Sequence, residues 1–268
     1  YIHPIQLVMG LVLVRLHALY LAYVPADVLV IQPAQRMGRR AYRVISFLII
    51  LLPLVYFAAL GSSAMLTYSA RELVTQGKWV EASTALSRAA QLMPTSDLVL
   101  ISHADLLRQA IAQLPRKETV ERTTLYREAL SLLDDAEKLN SLRPQIFFIR
   151  GLIYSQSPDL AGRDWAERAA GAYSTALKRD PMAFWAREAY AGLLLWQGRL
   201  NQAKEVLEAG IGYQYSASAA VGYYALLARV RREAGETERA EVLERKISEI
   251  TGKPVRPLTE PLLGPRQK

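Results

Sequence analysis

The chain writes one helical turn three times. "TQGKWVEASTALSRAA" (75–90) and "WQGRLNQAKEVLEAGI" (196–211) each read Gly, four residues, Ala, then an apolar-periodic run. The same spacing joins Gly235 to Ala240. A pattern that recurs at fixed register marks a stack of supersecondary units, each too small to bury its apolar face alone. This constrains the fold more tightly than any other feature of the 268 residues.

A 34-residue frame accommodates the whole pattern. With Gly77 at position 15, Ala70 falls at 8, Ala82 at 20, Ala89 at 27 and Pro94 at 32. In 184–217 the matching residues are Ala191, Gly198, Ala203 and Gly210; in 221–252 they are Ala228, Gly235 and Ala240. Between these units, Gly151 and Tyr154 take positions 8 and 11, and Ala169, Ala176 and Pro181 take 20, 27 and 32. Ala129 and Ala136 mark the second helix of a further unit in 98–144. Two antiparallel helices that cross closely leave room only for Ala, Gly or Ser at the crossing, and Pro ends the second helix. "SPDLAG" and "LPRKETVERT" are read as enlarged turns inside two of the five pairs.

On these residues the segment 63–252 resembles the tetratricopeptide (TPR) repeat family. The resemblance implies an all-α superhelix of about five helical pairs, with a concave face built by the first helix of each pair. Two residues depart from the pattern: Arg187 replaces a bulky residue at position 4, and Tyr215 replaces the terminal Pro. The concave face is expected to present Trp185, Glu188, Leu195 and Trp196 in the fourth unit. In the fifth it is expected to present Ala225, Arg229 and Arg232. Aromatics beside Arg suit a peptide or a sugar ring, so these residues define a candidate groove for a protein or peptide partner.

The N-terminal quarter has a different character. Half of the chain (51%) is hydrophobic and its mean hydropathy is slightly positive, which points to a part held in lipid. Residues 5–24 are long enough to span a bilayer, although Arg15 and His17 interrupt them. Residues 44–66, "VISFLIILLPLVYFAALGSSAML", carry no charge, and Pro53 is expected to kink them. Arg36, Arg39, Arg40 and Arg43 sit just before this second span, which by the positive-inside rule makes the loop 25–43 cytoplasmic. Anionic lipid headgroups are the expected partners of these four Arg. The reading is therefore a transmembrane hairpin over 1–66, a periplasmic repeat domain over 67–252, and a Pro-rich tail over 253–268. "LGSSAM" is the only flexible stretch at the join. If the helix continues through it, the repeats stand directly on the bilayer surface.

Charge and chemistry exclude several classes. Residues 1–68 hold five Arg and one acid, leaving 28 of the 33 basic and 24 of the 25 acidic side chains for the remainder. That mixed surface is not a nucleic-acid face. With no Cys, the chain has no disulfide, zinc-thiolate or thiol nucleophile. His3, His17 and His103 show no metal-ligand spacing, and His103 is expected to pack or lie on the surface. Asp134 and Asp135 read as a solvated helix face. No strand, phosphate loop or nucleophile–base pair is written, so no catalytic residue, cofactor or metal is assigned.

The order of parts adds a second resemblance. "YIHPIQLVMGLVLVRLHALYLA", a basic loop, a last membrane helix and a repeat tail look like the C-terminal end of O-antigen ligase and polymerase-type membrane glycosyltransferases. The likeness covers about 1–90. It implies an inner-membrane protein, a lipid-linked (undecaprenyl) glycan as partner, and more chain upstream of Tyr1. That family's essential Arg and His lie in an upstream loop, so no role is carried onto His3. The alternative is a non-enzymatic membrane-anchored scaffold, similar to the apocytochrome-holding factor of cytochrome c maturation or to secretion and pilus scaffolds.

Overall fold

The computed structural model describes residues 39–213 and 217–253. All regular structure among these residues is helical, as expected. The span proposed at 5–24, Tyr215 and the tail from 254 lie outside the described residues, as do Arg15, His17 and Arg36. The chain divides into two compact units, residues 1–99 and 100–268.

The first unit is built on α1 (Arg39–Thr75) and α2 (Trp79–Leu92). α1 is one unbroken helix of 37 residues, about 55 Å long, and it runs straight through "LGSSAM". Pro53 lies inside it. Its two halves are chemically distinct. Phe47, Leu48, Ile49, Leu52, Leu54, Val55 and Tyr56 are exposed. From Ser63 onward α1 packs against α2: the Ser63 hydroxyl donates to the Ala89 carbonyl at 3.1 Å, in a buried contact. Ala70, Ala82, Ala85, Leu86 and Ala89 fill that interface. Four Ala at one crossing let the two backbones approach closely. Among the described residues, Phe47–Thr75 is the one helix long and apolar enough to cross a membrane.

The turn that follows α1 explains the recurring Gly. Gly77 has φ +74°, Gly198 +74° and Gly235 +81°, all in the left-handed region where a Cβ is strained. In each case the Gly amide bonds the carbonyl three residues back, and the next amide reaches five back: Lys78 to Leu73, Arg199 to Leu194, Glu236 to Arg231. This is the Schellman cap, which satisfies the last carbonyls of one helix and aims the chain into the next.

The second unit holds the other helices. α3 (Asp97–Gln113) and α4 (Thr119–Leu139) are followed by α5 (Pro144–Gln156). A single turn, α6 (Pro158–Ala161), leads to α7 (Trp165–Arg179). Next come α8 (Phe184–Trp196) and α9 (Leu200–Glu208), then α10 (Ala217–Glu233) and α11 (Thr237–Thr251). α5 packs on α7, α8 on α9 and α10 on α11, while α7–α8 and α9–α10 contacts join successive pairs. One apolar cluster runs from Ala191, Leu194 and Leu195 through Ala203 and Leu207 to Tyr223, Leu227, Ala240 and Leu243. The α5–α7 crossing is so close that a Cβ on Gly151 would stand 2.5 Å from Tyr173 Cε1.

The two expected enlarged turns differ from their reading. Only residues 114–118 separate α3 from α4, and the rest of "LPRKETVERT" joins α4, which reaches 21 residues. "SPDLAG" closes into α6, with Pro158 in its first turn. The insertion is tied down on both sides. Buried Arg122 donates to both carboxylate oxygens of Asp159, at 2.5 and 3.3 Å, and Arg168 donates to the Ala161 carbonyl at 2.8 Å. The Arg122 bond holds the Asp159 carboxyl below its ordinary pKa.

Candidate functional site

The first helices of three successive pairs, α5, α8 and α10, carry the candidate residues. On α8, Trp185, Glu188, Gly192 and Trp196 fall within an arc of about 80° along about 16 Å of helix, so they form one stripe. Trp185 is half-buried and packs edge-on against Phe148 of α5, with ring centroids 4.5 Å apart. Trp196 is 68% exposed and stands edge-on to Trp165, the first residue of α7, at 4.8 Å. Gly192 lies between them, and a Cβ built there would meet nothing within 4 Å.

Glu188 borders the open space on the opposite side from the two Trp. Its carboxylate is half-buried and has no hydrogen-bond or ion-pair partner among the described residues. Desolvation alone raises its pKa. Its Oε1 would lie 3.6 Å from a Cβ at Gly222 on α10, so that glycine keeps the carboxylate uncovered.

Polar contacts also link α3 to α5 and α5 to α7. Arg108 donates to Gln156 Oε1 at 2.6 Å and to Asp105 at 2.7 Å, and Gln109 also donates to Asp105. Ser155 shares a 2.9 Å hydrogen bond with the Tyr173 hydroxyl. Burial pushes the Tyr173 phenol up to about 12, so it stays neutral at physiological pH.

Of the residues expected in the groove, Trp185, Glu188 and Trp196 come together on this stripe. Leu195 is 4% exposed and belongs to the apolar core with Tyr223, Leu227 and Ala228. It lies two turns below Glu188 on nearly the same line, where α10 closes against α8 and covers it. Arg232 is taken up by its own pair, donating to both oxygens of Glu244 on α11 at 2.8 Å. Ala225 and Arg229 are half-buried on α10. Phe148, Trp165, Arg108 and Gln156 were not singled out in the sequence. Phe148 occupies the same template position in its unit as Glu188 does in the next, so that register was available to find it.

His103 is buried, and burial lowers its pKa although Glu128 acts in the opposite sense. Asp134 and Glu137 both pair with Arg150 of α5, at 2.8 and 2.7 Å, and Asp135 pairs with Lys138. Among the described residues no group of three His, Asp or Glu is placed to hold a metal ion.

Comparison with known proteins identifies the fold. No protein-family model matches the chain, and no curated protein sequence matches it. Solved structures do. A thermophilic TPR protein of Thermus thermophilus, TTC0263, is 14% identical, with a TM-score of 0.52 over 72% of this chain and 93% of that one. MamA from Desulfovibrio magneticus is 12% identical, with a TM-score of 0.47 over 71% of this chain and 96% of that one. A TPR protein from Parabacteroides merdae is 18% identical, with a TM-score of 0.45 over 72% of this chain and 75% of that one. The chain has the fold of a tetratricopeptide repeat protein.

Proposed function

We propose that this chain is a membrane-anchored protein-interaction module whose TPR groove holds an extended segment of a partner polypeptide. The groove reading rests on the α8 stripe, which offers two Trp, an unpaired carboxylate and open space on one face. Aromatic anchors beside unsatisfied polar groups are what peptide recognition uses. The anchor reading rests on α1. Its exposed apolar half suits lipid, and the same unbroken helix becomes the first element of the repeats. A module held this way is positioned at the bilayer surface and does not search on a flexible tether.

In this reading the basic residues Arg36, Arg39, Arg40 and Arg43 stay cytoplasmic beside anionic headgroups, and the repeats lie in the periplasm of a bacterial inner-membrane protein. The order of parts supports a place at the C-terminal end of an O-antigen ligase or polymerase-type glycosyltransferase, with the groove presenting the acceptor to a lipid-linked glycan. The mass of the native polypeptide separates this reading from an anchored scaffold: the first requires many more membrane helices upstream.

The chain has no cysteine, so single-cysteine labelling tests its placement cleanly. With Glu241→Cys, an impermeant maleimide applied to intact spheroplasts is expected to label the protein. With Gln35→Cys it is expected to react only after the membrane is opened. The reverse pattern refutes the periplasmic placement, and extraction of the chain by alkaline carbonate refutes the anchor.

A further inference from the structure

We propose that the Trp185–Glu188–Gly192–Trp196 stripe is a slot for a Lys or Arg side chain of the partner. The proposal rests on the peptide-groove reading above and names what the groove selects. Three observations converge on a long cation. Glu188 offers a carboxylate that no described residue neutralises. Gly192 leaves the middle of the slot empty, and a Cβ there would still touch nothing. The two Trp stand along the other side, each already held edge-on by a neighbouring ring, Phe148 or Trp165.

The chemistry fits one class of group. A Lys or Arg stem can lie across Gly192 against indole while its head reaches Glu188, combining a charge-assisted hydrogen bond with cation–π attraction. A short cation cannot fill the length of the slot, and an aliphatic chain leaves the carboxylate uncompensated. An acidic segment is repelled. Gly222 matters for the same reason as Gly192: a longer side chain there would fill the space at the Glu188 oxygens.

The test uses the full chain in nanodiscs. The probe is a bead-bound library of random nonapeptides with both ends blocked, so that only side chains supply charge. Wild-type protein is expected to enrich peptides that share one Lys or Arg. Changing that residue to norleucine in a selected peptide is expected to weaken binding at least tenfold. Glu188→Gln is expected to weaken the basic peptide by the same factor and to leave the norleucine peptide unchanged. Gly192→Leu, which fills an open position, is expected to abolish enrichment while circular dichroism stays constant. Enrichment without a basic residue, or equal binding by wild type and Glu188→Gln, overturns the slot but leaves the groove reading intact. No enrichment by the wild type overturns both.

Discussion

Arg187 offers the sharpest test of how this repeat is held together. It occupies a position where the template takes a bulky apolar residue, and it is only 6% exposed. Its partners are carbonyls: Nη1 donates to Val206 O at 2.9 Å and Nη2 to Pro181 O at 2.5 Å, with the Tyr213 ring 5.8 Å away. The cause lies in α9. That helix has nine residues, against 14, 21, 15 and 15 for the second helices of the other pairs. Past its end the Ala209, Gly210 and Ile211 amides donate to the Glu205, Leu207 and Glu208 carbonyls, which leaves the Val206 carbonyl to a side chain. Arg187 supplies the donor for Val206, and the Tyr223 hydroxyl donates to Leu207. Arg187→Met keeps most of the apolar stem and removes both donors. Hydrogen bonds from a charged group contribute roughly 1.5–3 kcal/mol each, and relief from burying the charge offsets part of this. The net loss is about 2–3 kcal/mol, which lowers Tm by roughly 4–12 °C in an array of this size. Arg187→Ala adds a cavity and is expected to lose about 1–2 kcal/mol more. Thermal unfolding of the full chain in detergent, followed by near-ultraviolet circular dichroism, measures both. A Met variant within 1 °C of wild type would refute the claim that the guanidinium compensates the short helix.

Two further substitutions probe the same architecture. Gly151→Ala gains roughly 1 kcal/mol of helix propensity but drives a Cβ to 2.5 Å from Tyr173 Cε1, in a crossing where overpacking costs about 1–3 kcal/mol; a lowered Tm is expected, and a raised one would show that α5 and α7 can separate freely. Glu188→Gln is expected to raise Tm at pH 7 and to leave it unchanged below about pH 4. Desolvation raises the folded pKa of Glu188 above its unfolded value. Folding therefore favours the protonated form, and that stabilisation is present at low pH and lost as pH rises through the folded pKa. A Glu188→Gln variant less stable than wild type at pH 7 would mean that the carboxylate has a partner.

Legibility in the sequence followed the physics of each position. Ala82, Ala89, Ala129, Ala136, Ala169, Ala176, Ala191, Ala203 and Ala240 are all fully buried, because a crossing of two backbones admits almost nothing else. Gly77, Gly198 and Gly235 were visible as repeats, although only their positive φ reveals the Schellman cap that requires them. The shared face of Trp185, Glu188 and Trp196 was legible because helical spacing alone puts them on one line. The surroundings of Leu195 and Arg232 are set by a different helix. Leu195 is covered when α10 closes on α8, and Arg232 finds Glu244 twelve residues on. The first contact crosses from one unit to the next, and the second lies within a unit at positions that the small-residue template leaves open. Arg187 was visible as a departure, but its role depends on where α9 stops.

Arg187 and Glu188 are neighbours in sequence with opposite fates, and the contrast carries the functional argument. Both are charged and both lose water on folding. Arg187 enters the core, and two carbonyls meet its guanidinium within the chain itself. Glu188 points the other way, is half-buried, and meets no cation, hydroxyl or amide among the described residues. Elsewhere in the second unit Asp105 pairs with Arg108, Glu208 with Arg231, and Glu244 with Arg232. A fold that pairs these acids has the means to pair one more. Packing gives no reason for the exception, since Gly222 and Gly192 leave space that larger side chains would fill. The uncompensated charge, the two glycines and the two Trp are the features that the proposed slot for a basic side chain would use together.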